Sequence, residues 1–234
     1  MTIRSSTHRA FTLVELLVVI GVIALLVSIL LPSLASARRA AQRTACMSNL
    51  RQIGLAVTLY ANDHRGFMPA GDDTNPPVAG VWFWMGRGFR PALEPYLPRG
   101  TGAGVFWCPG DEIATNRFDS TSYAYAMTNY HSPEQINLMT TVGHNYLASL
   151  AMPPIPQRLA AIRQSSQKIL AGEWNANHER LRADPGWFGR AGSRVFVFAD
   201  NHCEYLSWEQ IIPGNDGLPN PNTTIDGLKG KDVR

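Results

Sequence analysis

FTLVELLVVIGVIALLVSILL, Phe11 to Leu31, is a run of 21 residues with one charge, Glu15. At the α-helical rise it extends about 30 Å, the thickness of a bilayer's hydrocarbon core. A helix also satisfies its own backbone groups in lipid. The run is mostly Leu, Val and Ile, and Gly21 and Ser28 do not interrupt it seriously. The pattern predicts a membrane-compatible helix, and the position of Glu15 within it needs a reason.

Three readings compete. One is a plain single-pass anchor. Another is a cleaved secretory signal, because Arg4, His8 and Arg9 make a basic start and Ala35-Ser36-Ala37 fits an A-x-A cleavage pattern. The third is a segment that enters the membrane and later leaves it to pack against copies of itself. The secretory reading has a weakness in length, since such apolar cores usually run roughly 7–15 residues. It also leaves Glu15 unexplained. A carboxylate at the centre of a membrane helix costs on the order of 3 kcal/mol, and less near the interface.

A partner for Glu15 exists if the chain is cut between Ala10 and Phe11. The new α-amino group would sit about one helical turn away. An ammonium and a carboxylate in an apolar setting attract strongly and offset each other's burial cost. If the amine belongs to a neighbouring chain, the pair sets the axial register of a helical stack. Contacts of that head-to-tail kind give filaments when they do not close into a ring.

Pro32 lies just past the apolar run, where it removes one helical hydrogen bond and favours a kink. From Ser33 to Asn62 there is no further proline. Leu34, Ala37, Ala41 and Ala45, then Leu50, Ile53, Val57 and Tyr60, follow three-and-four spacing. This predicts an amphipathic stem, with Arg38, Arg39, Arg43 and Arg51 on a solvated face. Ala40, Ala41 and Ala45 would let partner helices approach closely. Residues 11–62 as one helix would reach about 80 Å, longer than any domain that could bury it. The first half therefore needs lipid or neighbouring helices around it.

The remainder reads as a loop-rich domain with short strands. Phe67 to Pro69 reads as extended and Gly71 to Pro77 as a loop. Val81 to Met85, Val105 to Cys108, Ser122 to Met127, Lys168 to Trp174 and Arg194 to Ala199 are strand candidates, rich in aromatic or β-branched residues. The clearest unit is RVFVFADNHCEYLSW, Arg194 to Trp208, in which Asp200-Asn201 supplies a turn and His202 to Leu206 returns. The six tryptophans read as core or hairpin packing.

Composition limits the function. Apolar residues make up 45 % of the chain, enough for a core. A net charge of +3 gives no reason to propose nucleic acid as a partner. The three cysteines, Cys46, Cys108 and Cys203, cannot all pair within one chain. Three thiols is the simpler expectation, with a Cys108–Cys203 bridge as the alternative in an oxidising compartment. His178, His202, Asp200, Glu173 and Asp111 could in principle be combined into a site. They show no HExxH spacing, and neither a phosphate loop nor a GxSxG elbow occurs. A histidine beside a turn, such as His202, reads as a structural hydrogen-bonding residue.

Ala10-Phe11-Thr12-Leu13-Val14-Glu15, followed by the apolar run, resembles the prepilin processing motif of type IV pilins and type II secretion pseudopilins. In that family a membrane peptidase cuts before the aromatic residue and methylates the new amine. The residue before the cut is usually Gly, and here it is Ala10. Ser48 to Ala56 and Tyr60 to Asp63 resemble the stem of the G-type pseudopilin group. Phe106 to Asp111 is similar to that group's "CPxD" element. Asp200 and His202 fit its "FADGH" context, with Asn201 and Arg190 where the group has Gly and His.

The resemblance implies cytoplasmic placement of the leader, although Arg38, Arg39 and Arg43 behind the helix outnumber Arg4 and Arg9 before it. It implies prepilin peptidase, other pilin-like subunits, an inner-membrane assembly platform and membrane lipid as partners. Calcium is known among G-type pseudopilins, and Asn215-Asp216-Gly217 with Asn220 to Asp226 could supply oxygen ligands. Turn chemistry explains the same residues, and no cofactor is expected.

The expectation is an α+β fold. A long N-terminal helix, transmembrane and then amphipathic, packs on a C-terminal antiparallel β-sheet. Residues 1–10 form a leader, 11–32 the transmembrane and assembly segment, 33–62 the stem and 63–234 the globular domain. The expected role is a structural, non-enzymatic subunit of a type II secretion pseudopilus or a type IV pilus-like filament, processed at Ala10 and Phe11, assembled through Glu15 and kinked at Pro32. It would be held single-pass in the inner membrane with its C-terminal domain outside the cytoplasm. The competing role is a secreted or anchored binding module or enzyme.

Overall fold

The computed structural model describes residues 13–71, 83–84, 88–98, 102–112, 121–139, 152–179, 181 and 183–234. Packing divides the chain into two units, residues 1–41 and 42–234. The helix α1, Leu13–Asp63, begins in the first and ends in the second.

In the first unit every large apolar side chain from Leu13 to Leu34 is exposed. The helical backbone runs through Pro32. Ser28 and Ser33 return their hydroxyls to the carbonyls of Leu25 and Leu30, so neither leaves a bare polar group. This helix is long and apolar enough to cross a membrane.

In the second unit the later part of the stripe faces inward, whereas Leu34, Ala37 and Ala41 in the first unit are exposed. Cys46, Leu50, Ile53, Ala56, Val57 and Ala61 are buried and Tyr60 is half-buried. Three-and-four spacing puts these side chains on one face of α1. Arg51 is exposed as expected, as are Arg38 and Arg39 in the first unit. Arg43 is not simply solvated, since its guanidinium lies 4.7 Å over the Tyr205 ring.

That face packs on a four-stranded antiparallel sheet, in the order β1 Tyr123–Tyr125, β2 Ile169–Glu173, β3 Ser193–Phe198 and β4 Cys203–Ser207. The β3–β4 hairpin pairs Val195 with Tyr205 and Val197 with Cys203, and Asn201 turns it with φ of 68°. Asparagine tolerates that left-handed backbone better than most residues. Gly54 is required where α1 crosses the hairpin. A Cβ there would lie 2.4 Å from Asn201 Oδ1 and 2.8 Å from Val197 Cγ2.

β1 and β2 are buried along their whole length, which makes the sheet a central layer. Trp84, Phe89, Phe106, Tyr125, Tyr130 and Trp187 fill the core. Trp107, by contrast, is 41 % exposed, and Trp82 lies outside the described residues. The C-terminal tail closes one end. Asp232 accepts the Ile169 N–H at 2.6 Å and pairs with Lys168 Nζ at 3.2 Å, both fully buried. Burial pushes the Lys168 ammonium below its usual range, against the pull of Asp232.

One strand candidate fails, and another lies mostly outside the described residues. Val105 ends a short helix from Gly102, and Phe106 to Cys108 continue as a turn and extended chain. Their backbone is tied by single bonds, such as Ser122 N–H to the Phe106 carbonyl, and not by a ladder. Phe83 and Trp84 lie in a turn, and the rest of Val81 to Met85 is outside the described residues apart from those two. In Val105 to Cys108 the aromatic content reflects core packing, with Phe106 fully buried.

Candidate functional site

Two regions carry chemistry. At the start of α1, Glu15 sits in the first described turn, where a helix N-terminus favours an acidic side chain. Ala10 and Phe11, the expected processing residues, lie outside the described residues. Pro32 is inside α1.

The second region is buried in the globular unit. Gln42, Cys46 and Asn49 share one face of α1 and reach the segment from Trp107 to Pro109. Gln42 Nε2 donates to the Pro109 carbonyl at 3.0 Å, and Asn49 Nδ2 donates to the Trp107 carbonyl at 2.9 Å. Between them Cys46 and Cys108 form a disulfide, with their Cα atoms 5.1 Å apart. Both cysteines are fully buried.

This corrects the expectation of three thiols or a Cys108–Cys203 bridge. Cys203 is the free thiol, on β4 opposite Val197, with its sulfur 3.5 Å from the Met47 carbonyl. Burial raises that thiol to about 11. Cys46 stands four residues before Leu50 in the inward stripe, so helix geometry aims it at Cys108.

Glu173 ends β2 against this bridge with its side chain fully buried. Its Oε2 accepts the Val195 N–H at 2.9 Å. Its Oε1 lies 2.9 Å from His178 Nε2 and 3.1 Å from Cys108 Sγ. The sulfur carries no proton in the disulfide, so that last approach is a contact and not a hydrogen bond. His178 Nε2 is 3.8 Å from the same sulfur. The His178 side chain is 3 % exposed, and its Nδ1 has no hydrogen-bond partner among the described residues. The carboxylate also acts on Tyr123. Burial, reinforced by the Glu173 charge, holds that hydroxyl well above its usual range and therefore protonated.

The remaining site candidates sort differently. His202 pairs with Asp200 through Nδ1 and stacks on Phe198 with ring centres 4.2 Å apart, which locks the hairpin tip. Asp111 is buried beside this region and donates its N–H to the Cys108 carbonyl at 2.9 Å. Sequence reasoning named Glu173, His178 and Asp111 but did not join them to the cysteines. In the calcium-candidate loop, Asp216 accepts from Leu218 N–H, Thr223 Oγ1 and Asn220 Nδ2. Asp226 accepts from Asn137 Nδ2. The Asp216 oxygens are engaged in local loop hydrogen bonds, and Asp226 Oδ1 in a bond from a distant part of the chain.

Residues 5–31 match a family model described as the prokaryotic N-terminal methylation motif. Residues 35–101 match a second, described as protein of unknown function (DUF1559). Nothing among curated proteins or solved structures matches the chain.

Proposed function

From the premise that this chain is a pilin-like protein, we propose that it is a structural subunit cut before Phe11 by prepilin peptidase and polymerised through residues 11–45. Residues 1–10 are the leader, 11–32 the membrane and assembly segment, 33–62 the stem and 63–234 the exported domain. Phe11 carries the methylated amine. Glu15 receives the amine of a neighbouring subunit and sets the stack's register. Pro32 lets the apolar segment bend away from the stem. The subunit waits single-pass in the inner membrane until the assembly platform draws it into a pseudopilus or pilus-like filament. Its action is mechanical, without turnover.

One observation carries this reading: the methylation motif coincides with a helix whose apolar side chains from Leu13 to Leu34 are all exposed. Such a surface needs lipid before assembly and neighbouring helices after it. The Cys46–Cys108 disulfide supports an exported globular part, because such bonds persist outside the reducing cytosol. The test is Glu15→Leu in cells that assemble the wild-type chain. Membrane insertion should be unchanged and filament yield lost. Normal filaments from the variant would overturn the proposal.

A further inference from the structure

We propose that Cys46, Cys108, Glu173 and His178 form a zinc-class metal site that opens when the disulfide is reduced. The two sulfurs, the His178 nitrogen and a Glu173 oxygen lie within 4.8 Å of one another, with one ligand atom from each residue. Thiolate, imidazole and carboxylate are the zinc donor set, and four of them close a tetrahedral structural site. Bonds of about 2.0–2.3 Å imply tetrahedral edges of roughly 3.3–3.8 Å. Cys108 Sγ already stands 3.8 Å from His178 Nε2 and 3.1 Å from Glu173 Oε1, and the latter two are 2.9 Å apart. Shifts of a few tenths of an ångström suffice for these three. The larger movement is the parting of the two sulfurs once their bond is broken.

The scaffold suits a preformed site. Cys46 is fixed on α1, Cys108 by the Gln42 and Asn49 bonds on either side of it, and Glu173 at the end of β2 by Val195 N–H. Gly110 leaves room for the imidazole, since a Cβ there would come within 3.1 Å of His178 Nδ1. Charge is conserved as well. Two thiolates and one divalent cation cancel, so the loaded cluster carries the same net charge as the disulfide form.

The chemistry balances as follows. A dithiol reductant gives two electrons and two protons to the Cys46–Cys108 bond and leaves as its own disulfide. The two thiols then release their protons to solvent as their sulfurs take Zn²⁺. A chain whose cysteines have not yet been oxidised reaches the same state without the reductant. This inference does not depend on filament assembly.

The test uses the full chain in detergent, oxidised or reduced with a phosphine, titrated with Zn²⁺ alone and with Co²⁺ as a spectroscopic probe. The reduced chain should bind one Zn²⁺, and Co²⁺ should give a thiolate charge-transfer band. The oxidised chain should bind none. His178→Ala should weaken binding at least about tenfold, and Cys203→Ser should leave it unchanged. Circular dichroism follows the fold throughout. If reduction loosens the fold, recovery on adding Zn²⁺ supports the site, as metal binding is then coupled to folding. A reduced chain that neither binds Zn²⁺ nor refolds with it overturns the proposal. So does binding that survives His178→Ala at full strength.

Discussion

Replacing both Cys46 and Cys108 with alanine removes a covalent tie between the stem helix and the segment before β1. The bridge spans 62 residues, and restraining a loop of that length in the unfolded chain is worth roughly 14 cal/mol/K, or about 4.3 kcal/mol at 25 °C. A domain's whole net stability is only about 5–15 kcal/mol, so the loss is severe but need not abolish folding. With a urea slope of about 2 kcal/mol/M, the midpoint should fall by roughly 2 M. All six tryptophans lie outside α1, so their fluorescence reports the globular unit without interference from the apolar segment. The comparison is oxidised wild type against the double variant, in detergent, with equal slopes required. A loss below about 1 kcal/mol would refute the reasoning, because the crosslink would then restrain little of the unfolded chain.

Gly54→Ala should destabilise the globular unit by about 1–3 kcal/mol through overpacking against Asn201 and Val197. Gly21→Ala, with nothing within 4 Å, should leave that unit's urea midpoint unchanged. Asp232→Ala should cost about 3–5 kcal/mol by leaving the Lys168 charge buried and unpaired, and the double change Lys168→Met with Asp232→Leu should cost less. Thermal unfolding of the three proteins checks that order. The Cys203 thiol is raised to about 11 from an ordinary value near 9, so the fold favours its protonated form. That contribution is complete below about pH 9 and is lost as the pH rises towards 11. Iodoacetamide should label Cys203 alone in the unreduced chain, with a rate still climbing at pH 10. Labelling of Cys46 or Cys108 without reductant would contradict the bridge.

The hairpin was legible because two independent signals agree. Alternation from Val195 to Phe198 marks a strand, and Asp200-Asn201 marks a turn that accepts positive φ. The stem was legible because Leu50, Ile53 and Val57 repeat at helical spacing. The same spacing includes Cys46, and read that way it would have turned Cys46 inward towards a partner. Which partner depends on long-range packing, which local patterns do not encode. Val105 to Cys108 has strand-like composition, yet strand identity belongs to pairing, and no ladder partner lies beside it among the described residues. Glu173 and His178 were visible as residue types. Their convergence on the sulfurs comes from β2, the loop after it and α1 meeting in space, and no spacing motif announces that.

The account rests most directly on where the working chain begins. Intact-mass analysis of the protein purified from membranes that carry its own processing enzymes reads this in one measurement. The account predicts a chain starting at Phe11 with one added methyl group. A chain that still starts at Met1, or one that starts at Arg38, would contradict it.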